Sequence, residues 1–132
     1  MIKILLVAIV VLTACGSGTN TTTDAPKAID APPPTVVMVA CPMTPAATIT
    51  TSDIVFNFSP PSTMITQGQI IQFTMSPAHN VAPGHVGGGP AAISDPGTSV
   101  GFGMTKCLMF TQTGTFGFHC VPHVFDGTVI VQ

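Results

Sequence analysis

The chain has 132 residues, room for one domain and a tail. It is 45% hydrophobic, lacks Trp, Tyr, Arg and Glu, and carries a formal net charge of −2. Three lysines and no basic cluster exclude a nucleic-acid binder, and five scattered aspartates offer no acid/base constellation for catalysis.

The N-terminus reads as a targeting segment. Met1-Ile2-Lys3 supplies a positive start, and the unbroken apolar run Ile4 to Leu12 is too short to cross a bilayer as a helix. Leu12-Thr13-Ala14-Cys15 resembles the lipobox of bacterial lipoproteins. That resemblance implies that residues 1–14 are a signal peptide and that Cys15 takes a lipid and ties the chain to a membrane outside the cytoplasm. Gly16, rather than Asp, follows the cysteine, which favours the outer membrane. Residues 15–35 then read as a tether: Gly-Ser-Gly, a Thr run and Asp30-Ala31-Pro32-Pro33-Pro34 cannot bury apolar surface, and the prolines favour extended backbone.

A folded domain is expected over 36–132. Short apolar runs at Val36 to Ala40, Ile54 to Phe58, Ile70 to Met75, Ser99 to Met104, Leu108 to Thr111, Thr115 to Cys120 and Thr128 to Val131 are bounded by Pro, Gly, Asn, Asp or Ser and predict strands. Thirteen Gly, thirteen Pro and the absence of any helix-length amphipathic stretch point the same way. The expected fold is an all-β, Greek-key sandwich of about seven or eight strands. Gly87-Gly88-Gly89-Pro90 lacks the Lys-Ser/Thr and the helix of a phosphate-cradling loop and is read as a surface loop.

The four cysteines divide by context. Cys15 sits in the lipobox and Cys120 in a Cys-x-x-His element, leaving Cys41 and Cys107. In an oxidising compartment that even remainder is expected to form one disulfide, the alternative being two buried thiols.

The chemistry concentrates in two short motifs. His79-Asn80-Val81 is followed much later by Cys120-Val121-Pro122-His123. A c-type haem site would need a second cysteine directly before the histidine. A structural zinc site would need four ligands, and the remaining candidates are His85 and His119. His119 adjoins Cys120 on a predicted strand and should face the other way. Two imidazoles and one thiolate are instead the equatorial donor set of a copper electron-transfer site, which leaves the fourth, axial position weak or variable.

The stretch Gly114 to Phe125, in which an aromatic strand delivers Cys-x-Pro-His, resembles the C-terminal ligand loop of the cupredoxins, and is most similar to their plastocyanin/amicyanin branch. Ser76 to Val81 is similar to that family's upstream ligand strand, and Asn57 to Gly68 and Ile70 to Phe73 to its early strands. The resemblance implies one type 1 copper held by His79, Cys120 and His123. It also implies that Asn80 hydrogen-bonds to pin the ligand loop, unless it is a plain turn residue, and that Pro122 stiffens that loop. His123 would lie nearest the surface, where extracytoplasmic redox proteins would dock on a monomer. In the family a methionine commonly supplies the axial donor, and its two usual spacings fall here on Asp126 and Thr128. No methionine follows Cys120. Three readings stay open: an axial Asp126 carboxylate, no strong axial side chain, or a remote sulfur such as Met104. The implied function is a non-enzymatic carrier of single electrons, with copper sequestration or delivery as the alternative. A copper enzyme is disfavoured because four histidines in all leave too few for further centres.

Overall fold

The structure is a computed structural model that describes residues 34–88 and 92–132. The expected signal segment, the expected lipidation site Cys15 and the expected tether up to residue 33 lie outside the described residues, as do Gly89 and Pro90 of the glycine-rich loop.

The described residues form nine strands: β1 (Val36–Val39), β2 (Ala47–Ser52), β3 (Val55–Ser59), β4 (Ser62–Ile65), β5 (Ile70–Thr74), β6 (Ala82–Pro83), β7 (Thr105–Phe110), β8 (Gly114–His119) and β9 (Asp126–Val131). They build a five-stranded sheet in the order β1-β7-β5-β2-β3 and a four-stranded sheet in the order β4-β9-β8-β6. Two pairings, β2 with β5 and β4 with β9, are parallel, as crossover connections require. The expected all-β sandwich is therefore what the chain forms.

Its core follows from alternation. Ile71 and Phe73 of β5, Phe116 and Phe118 of β8 and Val129 and Val131 of β9 point inward with Ile49, Phe58, Leu108 and Phe110. Phe58, Phe73 and Phe118 meet edge to face, with Phe58 and Phe73 lying 4.7 Å and 5.4 Å from Phe118.

Two expectations shift. The strand expected at Ser99 to Met104 is absent: Val100 makes an isolated bridge to Val81, and the chain then turns through Gly101 and Gly103, the latter at φ +64°. The strand starts only at Thr105 and absorbs the one expected from Leu108. Strands β2, β4 and β6 lie outside the expected runs; in β2, Ala-Thr-Ile-Thr-Thr-Ser carries a single fully buried side chain, Ile49.

Cys41 and Cys107 form a disulfide that fastens the loop after β1 to β7, across a sequence separation of 66. Asp95 fastens the other end of β1. Its carboxylate accepts from the amides of Thr35 and Val36 at 3.1 Å each, from Gly97 N at 2.7 Å and from the Thr35 hydroxyl. Because Val36 pairs with Phe110 and Val39 with Cys107, β1 enters at the C-terminal end of β7. Strands β2, β5 and β8 all run toward the opposite pole, where the histidine and cysteine motifs lie.

Candidate metal centre

That pole collects the two motifs. After β5 the chain turns through Ser76, whose carbonyl accepts from the His79 amide, and Ser76 N donates to Thr51 Oγ1 at 2.9 Å. Asp53 Oδ1 accepts from Ala78 N at 3.2 Å. The Ser76 hydroxyl first, then the Ala78 amide and the nearby His79, hold the Asp53 carboxyl below its ordinary range. This stapled turn carries His79 inside, where it is fully buried. The other motif leaves β8, and the loop of Cys120 to Phe125 closes on itself: Cys120 N donates to Phe125 O at 3.0 Å and Val124 N to Cys120 O at 3.0 Å. Val124 sits at φ +49°, a left-handed conformation that a β-branched residue adopts only under constraint, so this loop stores strain at the site.

Three donor atoms converge there. Cys120 Sγ lies 3.5 Å from His79 Nδ1 and 3.7 Å from His123 Nδ1, and the two Nδ1 atoms are 3.1 Å apart. At the usual metal–ligand lengths of about 2.0–2.3 Å, a single ion can touch all three. The tautomer suits a metal: His79 Nε2 donates to the Ser52 carbonyl at 3.1 Å, which leaves the lone pair on Nδ1. Cys120 is fully buried and is the free cysteine of the described residues, while His123 is partly exposed. Among the described residues these three are the cluster of His, Cys and Asp fit to hold an ion.

The surroundings are aromatic and apolar. Phe56 stacks on His123 at 4.6 Å with 20° between the planes, on the solvent side. Phe125 lies 5.2 Å from His79 and 6.5 Å from His123, and Phe58 backs it at 4.7 Å. Val121 and Val124 stand exposed on the ligand loop. Asn80 does pin that loop: its Oδ1 accepts from Val121 N at 3.0 Å, tying the two ligand segments together.

Other sequence candidates lie elsewhere. The structure does not bring Asp126 to the three donors. It is the first residue of β9, paired with His119, and its carboxylate accepts from Val86 N at 2.7 Å. His119 donates through Nδ1 to the Gly84 carbonyl, and His85 Nε2 meets the Gly127 carbonyl and the Thr128 hydroxyl. Gly84, His85 and Val86, which follow β6, thus lie against β8 and β9 on the outer face of the four-stranded sheet. Met104 sits in the turn before β7, its sulfur against Gly101. Sequence reasoning missed Phe125, Phe56 and the Ser52 carbonyl. The first was within reach, as the aromatic residue that ends the ligand loop, whereas nothing in the sequence singles out a backbone carbonyl.

Comparison with known proteins agrees with this geometry. A family model described as copper binding proteins, plastocyanin/azurin family, matches residues 45–132. The chain has no significant relative among curated protein sequences. Among solved structures it is similar to amicyanin from Paracoccus versutus, with a TM-score of 0.56 and 18% identity over 75% of this chain and 99% of that one. It is also similar to the Cu(I) form of an amicyanin variant, with a TM-score of 0.54 and 21% identity, and to an oxidised amicyanin variant, with a TM-score of 0.52 and 23% identity. Each of these two covers 74% of this chain and 99% of the amicyanin.

Proposed function

The chain belongs to the plastocyanin/azurin family of copper binding proteins, and from that membership we propose that it carries single electrons between redox proteins outside the cytoplasm, through one type 1 copper held by His79, Cys120 and His123. The observation that carries this reading is the N₂S set itself, with two of its three donor residues fully buried and Phe125, Phe58 and Phe56 packed around it. When bound, copper supplies the one-electron couple. The chain's own residues fix its surroundings: the carbonyl of Ser52 orients His79, the hydrogen bond from Val121 to Asn80 joins the two ligand segments, and the stiff sheets hold the donors in one arrangement for both oxidation states.

Delivery of copper to another protein is the lesser reading. It requires the ligands to be exchanged for a partner's, and two of the three have no exposed surface. Electron exchange needs only an edge, and His123 with Phe56, Val121 and Val124 offers one. Partners that fit this end are proteins with an apolar docking face, because the chain has too few charges for long-range steering. We further propose that a lipid on Cys15 holds the domain at a bacterial membrane.

A visible spectrum and cyclic voltammetry of the copper-loaded full chain test the carrier reading. A strong thiolate-to-copper band that Cys120→Ala abolishes, with reversible one-electron redox, is expected. A colourless Cu(II) form would refute it.

A further inference from the structure

We propose that Phe56 is the positioning residue of the exposed ligand: its ring, stacked on the His123 imidazole, keeps that imidazole at the copper in both oxidation states. The proposal rests on the copper-carrier reading.

The two imidazoles are held in different ways. His79 is fully buried, and its Nε2 donates to the Ser52 carbonyl at 3.1 Å, so its ring cannot turn without losing a hydrogen bond. His123 is partly exposed, and its polar contacts both run through Nδ1, the atom that faces Cys120 Sγ and His79 Nδ1. Among the described residues, His123 Nε2 has no such partner. What lies against this ring is aromatic. Phe56 is parallel to it within 20° at 4.6 Å, inside the range of offset stacking. Phe125 is also nearly parallel but stands back at 6.5 Å.

Strand parity puts Phe56 there. Phe56 and Phe58 share one face of β3, and β3 runs away from the metal pole because it pairs antiparallel with β2. Phe58 reaches the core and meets Phe118 and Phe125. Phe56, nearer the pole, passes the end of the core, and the rings that it meets are those of His79 and His123. It remains 60% exposed, so little of its ring serves the core.

Reduction adds one electron from the partner, takes copper from Cu(II) to Cu(I) and lowers the charge that attracts an imidazole. His79 and Cys120 are enclosed, so a ligand lost at that step would be His123. The stack occupies a face of the imidazole and leaves Nδ1, in the ring plane, free to bind the metal. His123 then cannot swing out without parting from Phe56, and no bond breaks as the electron arrives.

Two measurements on the full chain test this. Nuclear magnetic resonance of the metal-free protein reads the stack itself: the Phe56 ring should shift the His123 ring protons upfield, and Phe56→Ala should remove the shift. Capture of Cu(I) from the reduced protein by bicinchoninate reads the consequence, because attack begins at the exposed ligand. Phe56→Ala and Phe56→Leu should both release copper about three- to tenfold faster than wild type, and Phe56→Tyr, which restores a parallel ring, should stay within about twofold. Unshifted His123 protons in wild type would overturn the role of Phe56 alone, and this readout keeps the proposal falsifiable if a variant misfolds. So would release from Phe56→Ala or Phe56→Leu within about twofold of wild type, the range expected with the stack intact. A wild type without the thiolate-to-copper band would overturn the carrier reading and this inference with it.

Discussion

Gly127 is where the smallest change should do measurable damage. It lies opposite Phe118 in the β8–β9 ladder, and a methyl group there would stand 2.3 Å from two atoms of the Phe118 ring and 3.0 Å from the Phe58 ring. Carbon atoms at contact prefer about 3.5–4.0 Å, so the ring has to move more than 1 Å. It cannot do so freely, because Phe58 and Phe73 hold it edge to face. The backbone at Gly127 is not in the left-handed region, so Gly127→Ala tests packing without conformational strain. Overpacking of this kind costs about 1–3 kcal/mol, and in a domain of roughly 100 residues each kcal/mol lowers Tm by about 4–8 °C. Urea titration of the metal-free protein is the assay. Adding Phe118→Leu should recover part of the loss, since the second change makes room for the first. A stability change below about 0.5 kcal/mol, the ordinary range for a harmless surface substitution, would show that the contact does not constrain the site's floor.

Asp95→Ala removes the acceptor of three backbone amides where β1 begins and should cost about 2–3 kcal/mol by urea denaturation, as buried donors left unpaired do. Replacing Cys41 and Cys107 together with serine frees a loop spanning 66 residues, and the chain-entropy relation gives a loss of about 4 kcal/mol, read by the same assay. Asp53 has a lowered pKa, so its contribution is present above the unfolded value and disappears as pH falls through the folded one. The stability advantage of wild type over Asp53→Asn should therefore shrink on acidification below the ordinary carboxylate value of about 3.9, and an advantage that persists unchanged in acid would refute the Asp53 contact.

What the sequence made legible was the chemistry that side chains carry in short motifs. His79, Cys120 and His123 were readable because their types and order are rare together, and β8 because Phe116, Phe118 and Cys120 alternate without interruption. What stayed illegible depends on pairing. β2 turns only Ile49 and the small Ala47 inward, so its pattern is that of a polar loop until β5 and β3 flank it. The run Ser99 to Met104 misleads in the opposite sense: it has strand composition, but Gly103 takes a left-handed turn and donates to Ser76 O beside the metal motif. Asp126 became a candidate by counting residues from Cys120, and a count cannot show that it opens β9 opposite His119 with its carboxylate held by Val86 N.

The same topology separates the two ends of the domain by task. β1 begins at the pole opposite the donors, clamped by Asp95 and by Thr111, whose hydroxyl donates to Pro34 O at 3.0 Å. The donors hang instead from β2, β5, β8 and β9, and among them only His123 reaches solvent. On the proposed carrier reading, a partner would meet the His123 edge, framed by Phe56, Val121 and Val124, without disturbing the buried half of the ligand set. Electron exchange at that edge then requires contact alone, and the strained, hydrogen-bonded loop from Cys120 to Phe125 has no need to open.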